Sequence, residues 1–183
     1  MVRRMVLAGL VAVFAARLGS GSALAQAASG TMSGMDMPKP AAPLSTSLVL
    51  TVDGKATTFS VADLKAMPQR TEIVHNEHTK VDEKYMGVAL GDLLAKAGFV
   101  ADKTTQKKML RSYLRAEGTD KYWVLYSATE VEGSEHDGDV FVATSMDGKD
   151  LGADGKFKLI STGDKKPQRW VRNLMAVTLK TVE

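Results

Sequence analysis

The 183-residue chain contains no cysteine. That excludes disulfides, a thiol nucleophile, and any thiolate supplied by this chain to zinc, haem or molybdenum. It has three histidines, so a histidine-only metal site would need nearly all of them. No G-x-S-x-G elbow, P-loop or G-x-G-x-x-G fingerprint occurs, which leaves the common serine-hydrolase and nucleotide-binding signatures without a footing. There is no internal repeat, and no apolar run after the N-terminal one is long enough to span a bilayer. No serine–histidine–acid set announces itself.

The first 25 residues hold three arginines and no acid. Arg3 and Arg4 precede an apolar stretch, Met5 to Ala16, and Ala23-Leu24-Ala25 fits a small-residue cleavage pattern. This is the signature of an export signal, with Gln26 as the expected mature start and a periplasmic location as the consequence. Gln26 is not a lipidatable cysteine. Arg3-Arg4 followed by Met5, Val6 and Leu7 leaves a twin-arginine route open beside the ordinary one. The chain has 24 Lys+Arg against 21 Asp+Glu. Without the signal the two are equal at 21, so the basic balance belongs to the signal and a nucleic-acid partner is not expected.

Residues 26–45 are rich in Ala, Gly, Ser, Met and Pro and read as a flexible leader. Residues 46–183 are enough for one domain with a single core. Leu48 to Val52 has a strand pattern, Asp53-Gly54 is a strong two-residue hairpin signal, and Lys55 to Phe59 is the returning strand. Ser60 with Asp63 predicts a capped helix over 61–66 that stops before Pro68. Thr71 to His75 reads as a strand and Asn76 to Lys84 as a polar loop. Leu90, Leu93, Leu94 and Ala97 have the spacing of one buried helical face, with Gly98 as the stop. Met109 to Ala116, Tyr122 to Tyr126, Val140 to Thr144, Phe157 to Ser161 and Leu174 to Val182 are strand candidates. Ser127, with Glu130 three residues on, fits a short capped turn. Strands dominate and helices are short, which predicts α+β with a mixed, barrel-like sheet.

Three features are candidates for chemistry. His75 and His78 form an H-x-x-H pair, with His136 elsewhere, and Met32, Met35 and Met37 form M-x-x-M-x-M in the leader. Imidazoles and thioethers are copper ligands, so a copper-handling protein is one alternative. The richest segment is Ser161 to Arg172, which packs Lys165, Lys166, Arg169 and Arg172 around a Gly-bearing loop with Trp170. Such a loop can bind an anion and stack a flat ring, unless Trp170 is simply core.

The order of pieces resembles a known family. Tyr85-Met86-Gly87-Val88-Ala89-Leu90-Gly91-Asp92-Leu93-Leu94-Ala95-Lys96-Ala97-Gly98 resembles a Gly-Val-x-Leu-x-x-Leu-Leu-x-x-Ala-Gly signature. Tyr122 to Glu130 resembles a strand leading into a Ser-x-x-Glu turn. Val140 to Leu151 resembles a strand and Asp-Gly hairpin ahead of Gly-Lys-Phe-Lys-Leu-Ile, and Gln168 to Arg172 resembles a basic-Trp-Val stretch before the last strand. Together, over about residues 46–183, these are similar to the oxidoreductase molybdopterin-binding domain, of the sulfite oxidase-type fold. The resemblance implies a mixed, barrel-like α+β domain that cradles a pterin. In the family's enzymes a cysteine ligates molybdenum between the first hairpin and the Gly-Val-x-Leu helix. Here that stretch is about Thr71 to Asn76, with His75 as the counterpart.

Without that cysteine, the resemblance implies pterin or molybdopterin-like binding without molybdenum redox catalysis, and a regulatory role toward a membrane signalling protein's periplasmic domain. Trp170 would stack the ring, Glu130 and Ser127 would hydrogen-bond it, Arg169 would flank the ring or an anionic tail, and His75 would stand at the former metal position. A molybdenum-cofactor oxidoreductase or its accessory subunit is the alternative within the same fold.

Overall fold

Asp53 and Gly54 turn the chain with φ of 48° and 79°, the left-handed pair that a two-residue hairpin requires and that glycine adopts without strain. They join β1 (Leu48–Val52) to β2 (Lys55–Phe59), in register from Leu48 opposite Phe59 to Val52 opposite Lys55. The structure is a computed structural model that describes residues 42–76, 79–100, 102–132 and 140–183. Ser60 then caps α1 (Val61–Lys65): its hydroxyl accepts from the Asp63 N–H while Asp63 accepts from the Ser60 N–H, the reciprocal box its sequence encodes.

The hairpin β3 (Arg70–Asn76) and β4 (Val81–Ala89) follows. This corrects the expectation of a polar loop over Asn76 to Lys84. Polar residues there alternate across the pleat of a hairpin with one solvated face, and cross-strand pairing overrides their weak strand propensity. The helix α2 (Leu90–Lys96) buries Leu90, Leu93 and Leu94, each contributing about 1.5–3 kcal/mol. A single turn, α3 (Gln106–Met109), stands where a strand was expected to begin, and β5 (Ser112–Gly118) starts later. Then come β6 (Trp123–Ser127), α4 (Ala128–Glu132), β7 (Val140–Met146), β8 (Lys158–Ser161) and β9 (Leu174–Thr181).

Nine strands form two sheets among the described residues. One has the order β2-β1-β9-β5-β6 and the other β3-β4-β7-β8. The β1–β9 pair is parallel and the others are antiparallel, so the first sheet is mixed. The result is a sheet-dominant α+β domain with a curled, half-barrel sheet and few helices.

β7 explains where the site sits. Its residues are buried on both faces. Val140 and Val142 enter the main core with Leu50, Leu93 and Val177. Phe141 and Ala143 face a second cluster with Tyr85, Leu151 and Ile160, against which Trp170 packs. Gly87 on β4 permits this layering. A Cβ there would lie 2.0 Å from the Val142 carbonyl oxygen, and the register shifts at Met86/Gly87. No helix among the described residues is long and apolar enough to cross a membrane.

Candidate functional site

Val74 and Trp170, which pack against the second cluster, line a cleft of about 380 Å³. Its walls come from three places: the β3–β4 hairpin, the turn between β5 and β6, and the loop from Asp164 to Arg172. The hairpin's alternation places Val74 opposite Glu83 and aims Asn76, Glu83 and Tyr85 inward. The β8 pleat puts Lys158 on the Ile160 side, over the same cluster.

These residues form one hydrogen-bonded chain. Asn76 Nδ2 donates to Glu83 Oε1 at 2.6 Å, and the Tyr85 hydroxyl donates to Glu83 Oε2 at 2.6 Å. Lys158 Nζ donates to the Tyr85 oxygen at 2.9 Å and pairs with Asp154 at 2.8 Å. Lys158 is only 7% exposed, a charge that would be costly to bury without these partners. Its ammonium also lies 4.8 Å from the Tyr85 ring centre and 5.5 Å from that of Trp170. Burial, then the hydrogen bond and charge of Glu83, pushes the Tyr85 phenol well above its ordinary pKa, so it stays a neutral donor.

Trp170 is half-buried in the cleft wall. Its indole N–H donates to the Ser161 carbonyl at 3.0 Å, and its ring meets Tyr85 edge-on at 6.2 Å. It is therefore both part of the second cluster and part of the cleft lining.

Arg169 and Glu130 are brought together, but with each other. Arg169 donates to both Glu130 oxygens at 2.7 and 3.2 Å, and to both Asp164 oxygens, the Nε contact being 3.0 Å. Its guanidinium lies 4.5 Å over the Tyr126 ring. Its hydrogen bonds to Glu130 first and to Asp164 second hold its pKa above the ordinary arginine range. Tyr126 and Tyr122 hydroxyls donate to the Arg169 and Gln168 carbonyls, which ties the loop to β6 and the turn before it. Both side chains that the motif reading assigned to ligand are thus occupied in a strut that positions the loop.

Ser127 lies elsewhere, exposed on β6 beside a different groove, with its hydroxyl 2.7 Å from that of Thr129. His75 borders the cleft, but belongs to the outward set Thr71, Ile73 and His75. It pairs through Nδ1 with Asp82 at 2.8 Å. Strand parity and the Asp82 partner keep His75 at the cleft's edge and aim Asn76 inward instead. His78, His136, Met32, Met35 and Met37 lie outside the described residues. No group of three or more His, Asp or Glu among the described residues could hold a metal ion.

Motif reading passed over the chain Asn76, Glu83, Tyr85 and Lys158, and also Asp120. Of the carboxylates bordering the cleft, Glu83 and Asp164 have both oxygens engaged. Asp120 uses Oδ1 for the Tyr122 N–H at 2.9 Å, and its Oδ2 has no partner among the described residues. Its place after β5 in Gly118-Thr119-Asp120 looks like an ordinary turn in sequence. Lys165 and Lys166 add positive charge at the rim.

No family model matches the chain, and no curated protein matches it. Among solved structures, it is similar to the sulfane dehydrogenase SoxCD from Paracoccus pantotrophus, with a TM-score of 0.58 and 21% identity over 78% of this chain. The chain spans 41% of the length of that one. At this identity the likeness concerns fold. It supports a distant link to the sulfite oxidase-type fold that the motif order resembles.

Proposed function

We propose that this is an exported, periplasmic binding protein that takes a pterin or molybdopterin-like ring in the Trp170 cleft. The observation that carries the reading is the set of side chains lining one small cleft. An indole, a carboxylate with an open oxygen and a buried ammonium border it together. A cleft of about 380 Å³ falls in the small-molecule range. A 2-amino-4-oxo pteridine offers the matching parts: a flat face for Trp170, amine N–H groups for Asp120 Oδ2, and a carbonyl for Lys158. Lys165 and Lys166 suit an anionic tail. The donor set fits the ring and does not fit a thiolate-ligated molybdenum, since the chain has no thiolate and Asn76, the inward residue at the family's metal position, is already hydrogen-bonded. Binding rather than redox chemistry follows, with the ligand-loaded protein signalling to a membrane partner's periplasmic domain.

Fluorescence titration with pterin tests this. Quenching is expected, and Trp170→Ala should abolish it while leaving the Trp123 signal. Asp120→Asn should weaken a 2-amino-4-oxo pteridine about 10- to 100-fold, the worth of a hydrogen bond to a charged group. The 2,4-dioxo analogue should change far less. If pterins alter neither the fluorescence nor the melting temperature, the proposal fails. Stoichiometric molybdenum in protein purified from its own periplasm would favour the oxidoreductase reading instead.

A further inference from the structure

Three of the four sheet edges are protected against pairing with another chain. β2 begins with Lys55, β3 carries Arg70, Glu72 and His75, and the outer side of β8 is closed by paired bonds between Leu159 and Val171 at 2.9 and 3.1 Å. Charge and coverage are the usual protections of an edge. The fourth edge, β6, reads Trp-Val-Leu-Tyr-Ser. It has no charge, proline, glycine or register shift, and none of its residues makes a backbone bond across its outer side among the described residues. Its outward side chains are open, with Trp123 49% and Leu125 46% exposed.

We propose that a second copy of this chain pairs along this edge, β6 against β6, antiparallel and centred on Leu125. Shape argues for a second copy rather than another strand. An antiparallel pair about Leu125 sets each Trp123 opposite the other copy's Ser127. Beside Ser127 lies an open groove whose apolar lining is Leu110, Tyr113, Leu125 and Val182, completed by Arg111, Ser112 and Glu183; Leu110 and Val182 are more than half exposed. The edge therefore carries a large aromatic knob at one end and, at the other, a recess with an apolar wall of Leu110, Tyr113 and Val182, which a two-fold axis brings together twice. Arg115 lies 5.1 Å over the Trp123 ring and is itself neutralised by Glu117 at 3.1 Å, so the two copies' Arg115 side chains bring no bare like charge to the pair. The two five-stranded sheets would become one continuous sheet. The pairing does not depend on the ligand reading.

The absence of cysteine makes the test direct. Opposed residues of an antiparallel pair have Cβ atoms about 4.5–5.5 Å apart, close to what a disulfide needs after a small adjustment. Leu125→Cys in the full mature chain should cross-link to a covalent dimer under mild oxidation. Thr178→Cys, on the same face two strands inward, should not. Sedimentation equilibrium should show a dimer whose dissociation constant rises about tenfold or more in Leu125→Lys, the threshold of a central interface residue, with an unchanged melting curve for the monomer. A monomer at every concentration overturns the proposal. So does a dimer that survives Leu125→Lys while Leu125→Cys fails to cross-link.

Discussion

Replacing Arg169 by methionine removes four N–H···O bonds while keeping most of the side chain's length. At about 1.5–3 kcal/mol for each hydrogen bond to a charged group, four bonds would overshoot. The side chains of Arg169, Glu130 and Asp164 are 36%, 19% and 15% exposed, so water replaces part of what is lost. Breaking one partner of a buried pair costs about 3–5 kcal/mol, and discounting for this exposure leaves about 2–4 kcal/mol. For a domain of this size that lowers the melting temperature by about 5–15 °C. Arg169→Lys should fall between, because an ammonium cannot fork to two carboxylates. Calorimetric melts and urea titrations measure both, and a double-mutant cycle with Glu130→Gln should show a coupling of about 1 kcal/mol or more. As a contrast, Lys156→Ala breaks an exposed pair with Asp150 and should leave the melting temperature unchanged. A loss below about 0.5 kcal/mol for Arg169→Met, the range of a neutral surface change, would refute the strut.

Two further outcomes follow from the packing. Gly87→Ala should destabilise the domain by about 3 kcal/mol or more in urea titration, because its Cβ would meet backbone of β7 that cannot move aside; a near-neutral Ala would show that the strands separate easily. Burial raises the pKa of Tyr85 and Tyr126 above the ordinary value of 10, with Glu83 adding to the effect on Tyr85 and Arg169 opposing it on Tyr126. Their folded-state pKa values exceed the unfolded ones, so the stability they contribute is whole below pH 10 and declines as pH rises beyond it. Absorbance titration should show a late-ionising phase that Tyr85→Phe and Tyr126→Phe each diminish, accompanied by alkaline loss of stability; a single phase at the pH of exposed tyrosine would contradict this burial.

Local chemistry was readable wherever a short segment decides its own conformation. The Asp53-Gly54 turn, the Ser60–Asp63 cap and the Leu90, Leu93 and Leu94 face all form as their sequences indicate. Apolar runs at β7, β8 and β9 also read as the strands they are, but a charged segment whose form depends on distant pairing did not. Asn76 to Lys84 looks like a loop because the hairpin has no glycine turn signal and its residues are charged, yet β4 is held from its other side by β7. The site shows the same division. Ser161 to Arg172 is conspicuous for its cations and its indole, and Trp170 does line the cleft. Motif order could not show that Glu130 and Arg169, 39 residues apart, engage each other. Nor could it show that parity leaves His75 at the cleft's edge and aims Asn76 inward.

The sequence by itself determined that no thiolate is available, that strands dominate, and which residue types could meet a flat or anionic ligand, because these depend on composition and on spacing within a few residues. Only the tertiary structure decided which of those residues face one space. That choice rests on strand parity and on partners drawn from far along the chain: Arg169 spends its donors on Glu130 and Asp164, Tyr85 connects Glu83 to Lys158, and among the described residues Asp120 alone of the cleft's carboxylates keeps an oxygen open.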